Sequence, residues 1–120
     1  MYNRNQDEGK KGEDIACEFL RKKGLTILDR NFRIRGGELD IVALDRDSLV
    51  FIEVKTRSST QFGSPLEAIT PWKLRALVKT AQFYKLKHPR LPDLLRIDAV
   101  TVMINYVTGK TEIEHVENIT

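Results

Sequence analysis

Apolar side chains recur at helical spacing near the start of the chain and again after residue 70. The first pattern predicts a helix over about residues 8–23 that ends at Gly24. Its apolar face contains Ile15, Ala16, Phe19 and Leu20. The second pattern predicts a helix over about residues 70–87, because Thr70 is a good N-cap and Pro71 fits the first helical position.

The remaining apolar positions favour strands. Three strands, at residues 25–34, 38–44 and 49–56, are separated by turn residues and are predicted to form a meander. Two more, at residues 95–104 and 111–116, flank a turn, whereas residues 57–68 lack periodicity and are interpreted as a loop. The order α-β-β-β-α-β-β predicts a single mixed α/β domain of three-layer type over residues 1–120.

Charge is distributed unevenly along this domain. The chain has 20 lysines and arginines against 17 aspartates and glutamates, a net charge of +3. Residues 55–90 contain only one acid, Glu67, and eight basic residues. These are Lys55, Arg57, Lys73, Arg75, Lys79, Lys85, Lys87 and Arg90. The basic half favours a polyanionic partner.

Other residues exclude several classes of protein. A single cysteine, Cys17, excludes an internal disulfide, and with only His88 and His115 the chain has no cluster spaced for zinc. No apolar run is long enough for a signal sequence or a membrane span, so we expect a cytoplasmic protein with no membrane partner. Cys17 is expected in the core, and neither histidine is assigned a role.

Charged residues interrupt two of the apolar strands. Glu38 and Asp40 lie in the second strand, and Glu53 and Lys55 lie in the third. A turn of two or of four residues would place Asp40 opposite Glu53 and Glu38 opposite Lys55, with all four side chains on one face. A turn of odd length would instead separate the two acids onto opposite faces.

Two adjacent carboxylates repel each other, and a hard divalent cation such as Mg²⁺ or Mn²⁺ would remove that repulsion. Mg²⁺ prefers oxygen ligands and commonly binds one or two carboxylates together with a substrate phosphate. Lys55 would then position water or neutralise charge on the phosphate. The simpler alternative is a cross-strand ion pair between Glu38 and Lys55, with Asp40 and Glu53 facing solvent at the edge of the sheet.

Asp40 followed by Glu53-Val54-Lys55 resembles the signature of the PD-(D/E)XK nuclease superfamily, although position 39 is leucine where that signature nominally has proline. A wider set of motifs, spread over nearly the whole chain, resembles the uncharacterised bacterial YraN family. These motifs are Gly12-Glu13, Arg30-Asn31, residues 37–43, residues 51–57, Phe62-Gly63, Lys73 and Arg96-Ile97-Asp98.

The resemblance implies a restriction-endonuclease-like core. In such a core Asp40, Glu53 and the Val54 carbonyl would bind metal, and Lys55 would be the catalytic lysine. Related Holliday-junction resolvases also place a glutamate on the first helix, which points to Glu13.

Helical periodicity places Glu13 at the margin of the apolar face and points Asp14 and Glu18 outward. An equally good interpretation of Glu13 is an acid at the start of a helix, where the helix dipole favours it. Asp98 is expected either to support the site or to pair with Arg96 or Arg57.

The leading hypothesis is a Mg²⁺- or Mn²⁺-dependent endonuclease, with DNA favoured over RNA as the substrate and the form of the substrate left open by the sequence. The alternative is a noncatalytic nucleic-acid-binding module, or a subunit of a repair or recombination assembly. The candidate phosphate contacts are Arg57, Lys73, Arg75 and Lys79, although the helix face with Arg75 and Lys79 is more simply a solvated face. The sequence leaves open whether the protein is a homodimer.

Overall fold

A five-stranded mixed sheet carries one helix on each face. The structure is a computed structural model and describes residues 4–58 and 65–120. Its elements are α1 (Arg4–Lys22), β1 (Thr26–Ile34), β2 (Gly37–Asp45), β3 (Ser48–Arg57), a 3₁₀ turn (Pro65–Ala68), α2 (Pro71–Lys87), β4 (Leu94–Ile104) and β5 (Thr111–Val116). The predicted single α/β domain and its element order are confirmed, and the largest shift of a boundary is the earlier start of α1.

The strands lie side by side in chain order, β1 to β5. Strands β1, β2 and β3 form the predicted antiparallel meander, β3 and β4 are parallel, and β4 and β5 are antiparallel. Helix α2 therefore lies in the crossover that two parallel neighbours require. None of the helices among the described residues is long and apolar enough to cross a membrane.

The β2–β3 hairpin has the predicted register. Leu44 lies opposite Leu49 and Asp45 opposite Ser48, so only Arg46 and Asp47 form the turn. Arg46 adopts a φ of 57°. The even length of the turn keeps the two strands in the register that brings Asp40 towards Glu53.

The two faces of the sheet form separate hydrophobic cores. The core under α1 contains Ala16, the buried thiol of Cys17, Leu20 and the strand residues that face them. The core under α2 contains Leu77, Ala81 and Tyr84 with the opposite strand residues. The core position predicted for Cys17 is confirmed.

Helix α2 begins as the sequence predicts. The Thr70 hydroxyl accepts a hydrogen bond from the Lys73 main-chain N–H at 3.3 Å, and Pro71 is the first helical residue. This cap fixes the first turn of α2 and with it the direction of the Lys73 side chain.

The segment expected to be a loop is partly ordered. Pro65–Ala68 forms a single 3₁₀ turn, with Pro65 buried and Ile69 N donating to Leu66 O at 3.1 Å. Proline suits this position because its fixed φ is compatible with helical geometry. Residues 59–64, with the Phe62-Gly63 motif, lie outside the described residues.

Two glycines let both helices approach the same end of β2 and β3. A Cβ on Gly12 of α1 would lie 1.8 Å from the hydroxyl oxygen of Thr56 in β3. A Cβ on Gly37 of β2 would lie 1.8 Å from the hydroxyl oxygen of Thr80 in α2. Both distances are far below contact distance, so only glycine permits this packing.

Candidate active site

The predicted neighbours Asp40 and Glu53 lie where β2 and β3 stop pairing. The last paired residues are Ile41 and Ile52. One position further, the Asp40 Oδ2 atom accepts a hydrogen bond of 2.8 Å from the Val54 main-chain N–H. The Asp40 carboxylate thus replaces a ladder bond and is held against the backbone of the Glu53-Val54-Lys55 segment.

Glu53 is a buried carboxylate with two lysine partners. Its side chain is 6% exposed, and its Oε1 atom lies 3.3 Å from Lys55 Nζ and 3.0 Å from Lys73 Nζ. The alternative in which Glu53 faces solvent at the edge of the sheet is therefore wrong, because β3 is the central strand. Sequence reasoning placed Lys73 among the phosphate contacts, whereas the structure places its amine on Glu53.

Burial and charge shift the pKa values of this cluster. Burial, followed by the negative charge of Glu53, raises the pKa of Asp40 from 3.8 to about 7, although the Val54 N–H opposes the shift. Burial and the neighbouring Lys73 amine lower the pKa of Lys55. Burial alone would lower the pKa of Lys73, but its contacts with Lys55 and Glu53 raise it. At neutral pH, burial and like-charged neighbours therefore disfavour the charged forms of Asp40 and Lys55.

Two cavities meet at Asp40. One, of about 220 Å³, lies under α2 and is lined by Glu53, Lys73 and Ala76 among others. The other, of about 450 Å³, lies under α1 and is lined by Glu13, Lys55 and Arg57 among others. Asp40 lines both cavities, so its carboxylate is accessible from the α1 side and from the α2 side of the sheet.

Glu13 lies in the position that its helical phase predicts. Its side chain is 14% exposed, whereas Asp14 is 54% exposed, and Arg30 contacts both carboxylates at 3.3 Å and 2.7 Å. The interpretation as a helix-start acid is wrong, because α1 begins at Arg4 and Glu13 lies beyond its first turn. Glu13 lines the cavity under α1, which Asp40 also lines.

Glu38 forms an ion pair with a different partner from the one considered. It lies opposite Arg33 in the β1–β2 ladder, and the two side chains are 3.3 Å apart. The predicted alternative, an ion pair between Glu38 and Lys55, is wrong, because the Lys55 amine contacts Glu53 two residues away on its own strand. Glu38 is 43% exposed at the rim of the site.

The other candidate phosphate contacts lie at the periphery. Arg57 lines the cavity under α1 and donates to the main-chain carbonyl of Thr56 at 2.9 Å. Arg75 and Lys79 are exposed on the outer face of α2, away from its core stripe.

The carboxylates near Asp40 fit a hard divalent cation. Within residues 4–58 and 65–120, Asp40 and Glu53 each use one oxygen in a hydrogen bond or ion pair, which leaves the second oxygen for a ligand. In the cavity under α1, which Asp40 also lines, the Oε1 atom of Glu8 is buried without a hydrogen-bond partner among those residues. Among the residues that the structure describes, these acids do not form a three-ligand cluster, so water or phosphate would complete the coordination shell, as is usual for Mg²⁺.

A second polar cluster, of which the sequence predicted only the pairing of Asp98 with Arg96 as one alternative, lies elsewhere in the sheet. Asp98 is fully buried and accepts hydrogen bonds from Arg96 at 2.9 and 3.0 Å and from the Asn118 main chain at 2.9 Å. His115 Nε2 lies 2.8 Å from Asp98, and Lys23 Nζ lies 2.7 Å from its Nδ1. Of the expected partners of Asp98, Arg96 is confirmed.

The ligand atoms of Asp98, His115 and Glu117 lie within 4.8 Å of one another, close enough to share a metal. Arg96, however, contacts both Asp98 and Glu117. Although burial alone would raise the pKa of Asp98, the hydrogen bonds from His115 and Arg96 hold it below its usual range. A guanidinium already supplies the positive charge here, so we interpret this cluster as structural.

Comparison with known families covers most of the candidate site. A sequence model described as "Uncharacterised protein family UPF0102" matches residues 12–102. The chain belongs to the UPF0102 family. The UPF0102 match includes Glu13, Asp40, Glu53, Lys55 and Lys73, and it ends before His115.

Individual UPF0102 relatives align over nearly their full length. A UPF0102 protein of Syntrophomonas wolfei is 46% identical over 114 residues, covering 95% of this chain and 97% of the relative. A UPF0102 protein of Persephonella marina is 45% identical over 100 residues, covering 83% and 86% respectively. A third, from Chlorobium phaeobacteroides, is 42% identical over 116 residues, covering 93% and 92%.

Proposed function

We propose that this UPF0102 protein is a metal-dependent phosphodiesterase of the PD-(D/E)XK type that cleaves DNA. The observation that carries the proposal is the half-buried Asp40 carboxylate, which accepts a hydrogen bond from the Val54 N–H beside the buried Glu53 at the open end of β2 and β3. Burial and the negative charge of Glu53 raise the pKa of Asp40 to about 7. A purely structural pair of acids gains nothing from such an arrangement, whereas a divalent cation would relieve the repulsion.

Each residue of the cluster has a distinct part in this mechanism. Asp40, Glu53 and the Val54 carbonyl would hold the cation. A bound Mg²⁺ would supply a Lewis acid for the phosphoryl oxygen and make hydroxide available near neutral pH. Lys55 orients the attacking water or neutralises the charge that develops on phosphorus, because its amine lies beside Glu53 rather than in solvent.

Lys73 adds a second positive charge from the opposite helix. Its amine lies 3.0 Å from Glu53, and its side chain lines the cavity under α2. Two lysines on one carboxylate keep positive charge available for a phosphate that binds beside Glu53. The basic residues between 55 and 90 support a polyanionic substrate.

The test is cleavage of labelled linear, nicked, flapped and four-way DNA, and of matching RNA, with Mg²⁺, with Mn²⁺ or with EDTA. We expect metal-dependent cleavage of DNA, with a loss of several orders of magnitude in Asp40→Asn. Lys55→Ala and Lys73→Ala should lose rate at saturating DNA. Lys87→Ala, which removes an exposed lysine at the far end of α2, serves as the matched control and should retain the rate.

Failure to cut any substrate would overturn the catalytic proposal. If wild-type protein binds DNA without cutting it, and Asp40→Asn binds equally well, the noncatalytic binding module is the function that remains.

A further inference from the structure

The largest aromatic side chain of the protein lies open to solvent beside the candidate active site. Trp72 is 67% exposed, although tryptophan is usually well buried. It is the second residue of α2, next to Lys73, whose amine contacts Glu53. One helical turn later, Ala76 lines the cavity that contains Asp40. Trp72 precedes Lys73 directly in α2, so the indole lies on the exposed side of the helix near this cavity.

Positive charge follows the exposed indole along α2. Arg75 and Lys79, three and seven residues after Trp72, are exposed on the same face of α2. The 17 residues of α2 include five lysines and arginines and no aspartate or glutamate. This face therefore combines an aromatic platform with cations that contact phosphate well.

A shallow groove runs beside these residues along the helix. It has a volume of about 560 Å³, with Leu74 and Val78 on its floor and Arg75 and Lys79 on its rim. An apolar floor with a basic rim accommodates a base on the floor and its phosphate at the edge.

From this arrangement we infer that the Trp72 face of α2 binds single-stranded nucleic acid by stacking an unpaired base on the indole. The inference deepens the proposed function, on which it rests, by naming the form of the substrate. Duplex bases are already stacked on one another and offer no free face to Trp72. A protein partner fits less well, because lysine is depleted at protein interfaces and four of the five basic residues of α2 are lysines.

Trp72 is the only tryptophan in the chain, so its fluorescence reports directly on stacking. The experiment titrates a 20-nucleotide oligo-dT and a 20-base-pair duplex into the protein in EDTA, where no metal-dependent cleavage occurs. We expect the single strand to quench the fluorescence and the duplex to quench it far less. Labelled oligo-dT measured by anisotropy then gives the affinity of each variant.

Trp72→Ala should bind oligo-dT about 5- to 150-fold more weakly than wild type, the range that corresponds to one base stack. Trp72→Phe should recover most of that loss. Leu86→Ala is the control, because Leu86 is 79% exposed on the same helix about 21 Å further along. Circular dichroism melting checks that each variant is folded.

Equal affinity of Trp72→Ala and wild type for oligo-dT, or equal quenching by single strand and duplex, would overturn the inference. Because binding is measured without metal, that result leaves the proposed hydrolysis standing. Conversely, Trp72-dependent binding by a protein that cuts nothing would support the single-strand binding surface and contradict the proposed hydrolysis.

Discussion

Replacing Asp40 with asparagine should make the metal-free protein more stable above neutral pH. The substitution keeps the shape of the side chain, and the amide oxygen still accepts the hydrogen bond from the Val54 N–H. It removes only the negative charge that burial and Glu53 disfavour. Most substitutions at half-buried positions destabilise a protein, so a gain is a distinctive result.

The sign and size of this change in the free energy of unfolding follow from the pKa of Asp40. In the unfolded chain this carboxyl has a pKa of 3.8, and in the folded protein about 7, so the folded state retains the proton longer. The stability that this protonated group contributes is complete below about pH 4 and is lost as the pH rises through about 7. The full shift corresponds to a ceiling of about 4 kcal/mol, at roughly 1.4 kcal/mol per pKa unit.

The assay is urea unfolding in EDTA at pH 5 and at pH 8. We expect Asp40→Asn to exceed wild type at pH 8 by more than about 1 kcal/mol, and the gain to shrink at pH 5. Added Mg²⁺ should stabilise wild type at pH 8 and leave the variant unchanged.

Asp14→Asn is the matched control, because it removes the same charge from a side chain that is 54% exposed. It should change stability by less than about 1 kcal/mol. If Asp40→Asn is less stable than wild type at pH 8, Asp40 is an ordinary structural acid and the electrostatic reasoning fails.

Three further changes test other parts of the structure. Gly37→Ala should cost about 1–3 kcal/mol, seen by urea unfolding, because its Cβ would overlap a buried threonine of α2; wild-type stability would contradict the close packing. Arg96→Met should lower the free energy of unfolding by about 3 kcal/mol above pH 4, because Asp98 then stays buried with less positive charge beside it. This destabilisation should become smaller in acid, as Asp98 takes up a proton. The double variant Arg75→Glu and Lys79→Glu should weaken DNA binding and flatten its salt dependence, whereas an unchanged salt slope would show that this face is only solvated.

Local pattern was sufficient to predict the elements and the register of the β2–β3 hairpin. The period of the apolar residues and the turn residues gave the seven helices and strands, and the even turn length predicted that Leu44 lies opposite Leu49. The helical phase of Glu13 was also correct, since a phase depends on spacing within one helix. These features depend on residues that are close in sequence.

Features that depend on distant segments could not be predicted in this way. The amine of Lys73 reaches Glu53 only because α2 packs against β2, with Gly37 allowing a close approach. The pairing of Glu38 with Arg33 depends on the β1–β2 register, which a bulge shifts between Ile27 and Asp29.

The contact between Asp98 and His115, which was also not predicted, depends on the order of the strands. Asp98 and His115 meet because β5 pairs with β4, and the sequence gives no charge pattern that marks them as partners. The contact between Asp98 and His115 was found only in the folded structure, since the Arg96-Ile97-Asp98 motif marks Asp98 but no motif contains His115.

Whether Asp40 and Glu53 together hold a divalent cation is measured most directly by titrating Mn²⁺ and counting the free ion by electron paramagnetic resonance. We expect wild type to bind Mn²⁺, Asp40→Asn and Glu53→Gln each to lose that binding, and His115→Ala to retain it. Binding that survives both Asp40→Asn and Glu53→Gln but disappears in His115→Ala would place the metal at Asp98 and Glu117, and would contradict the assignment of the active site.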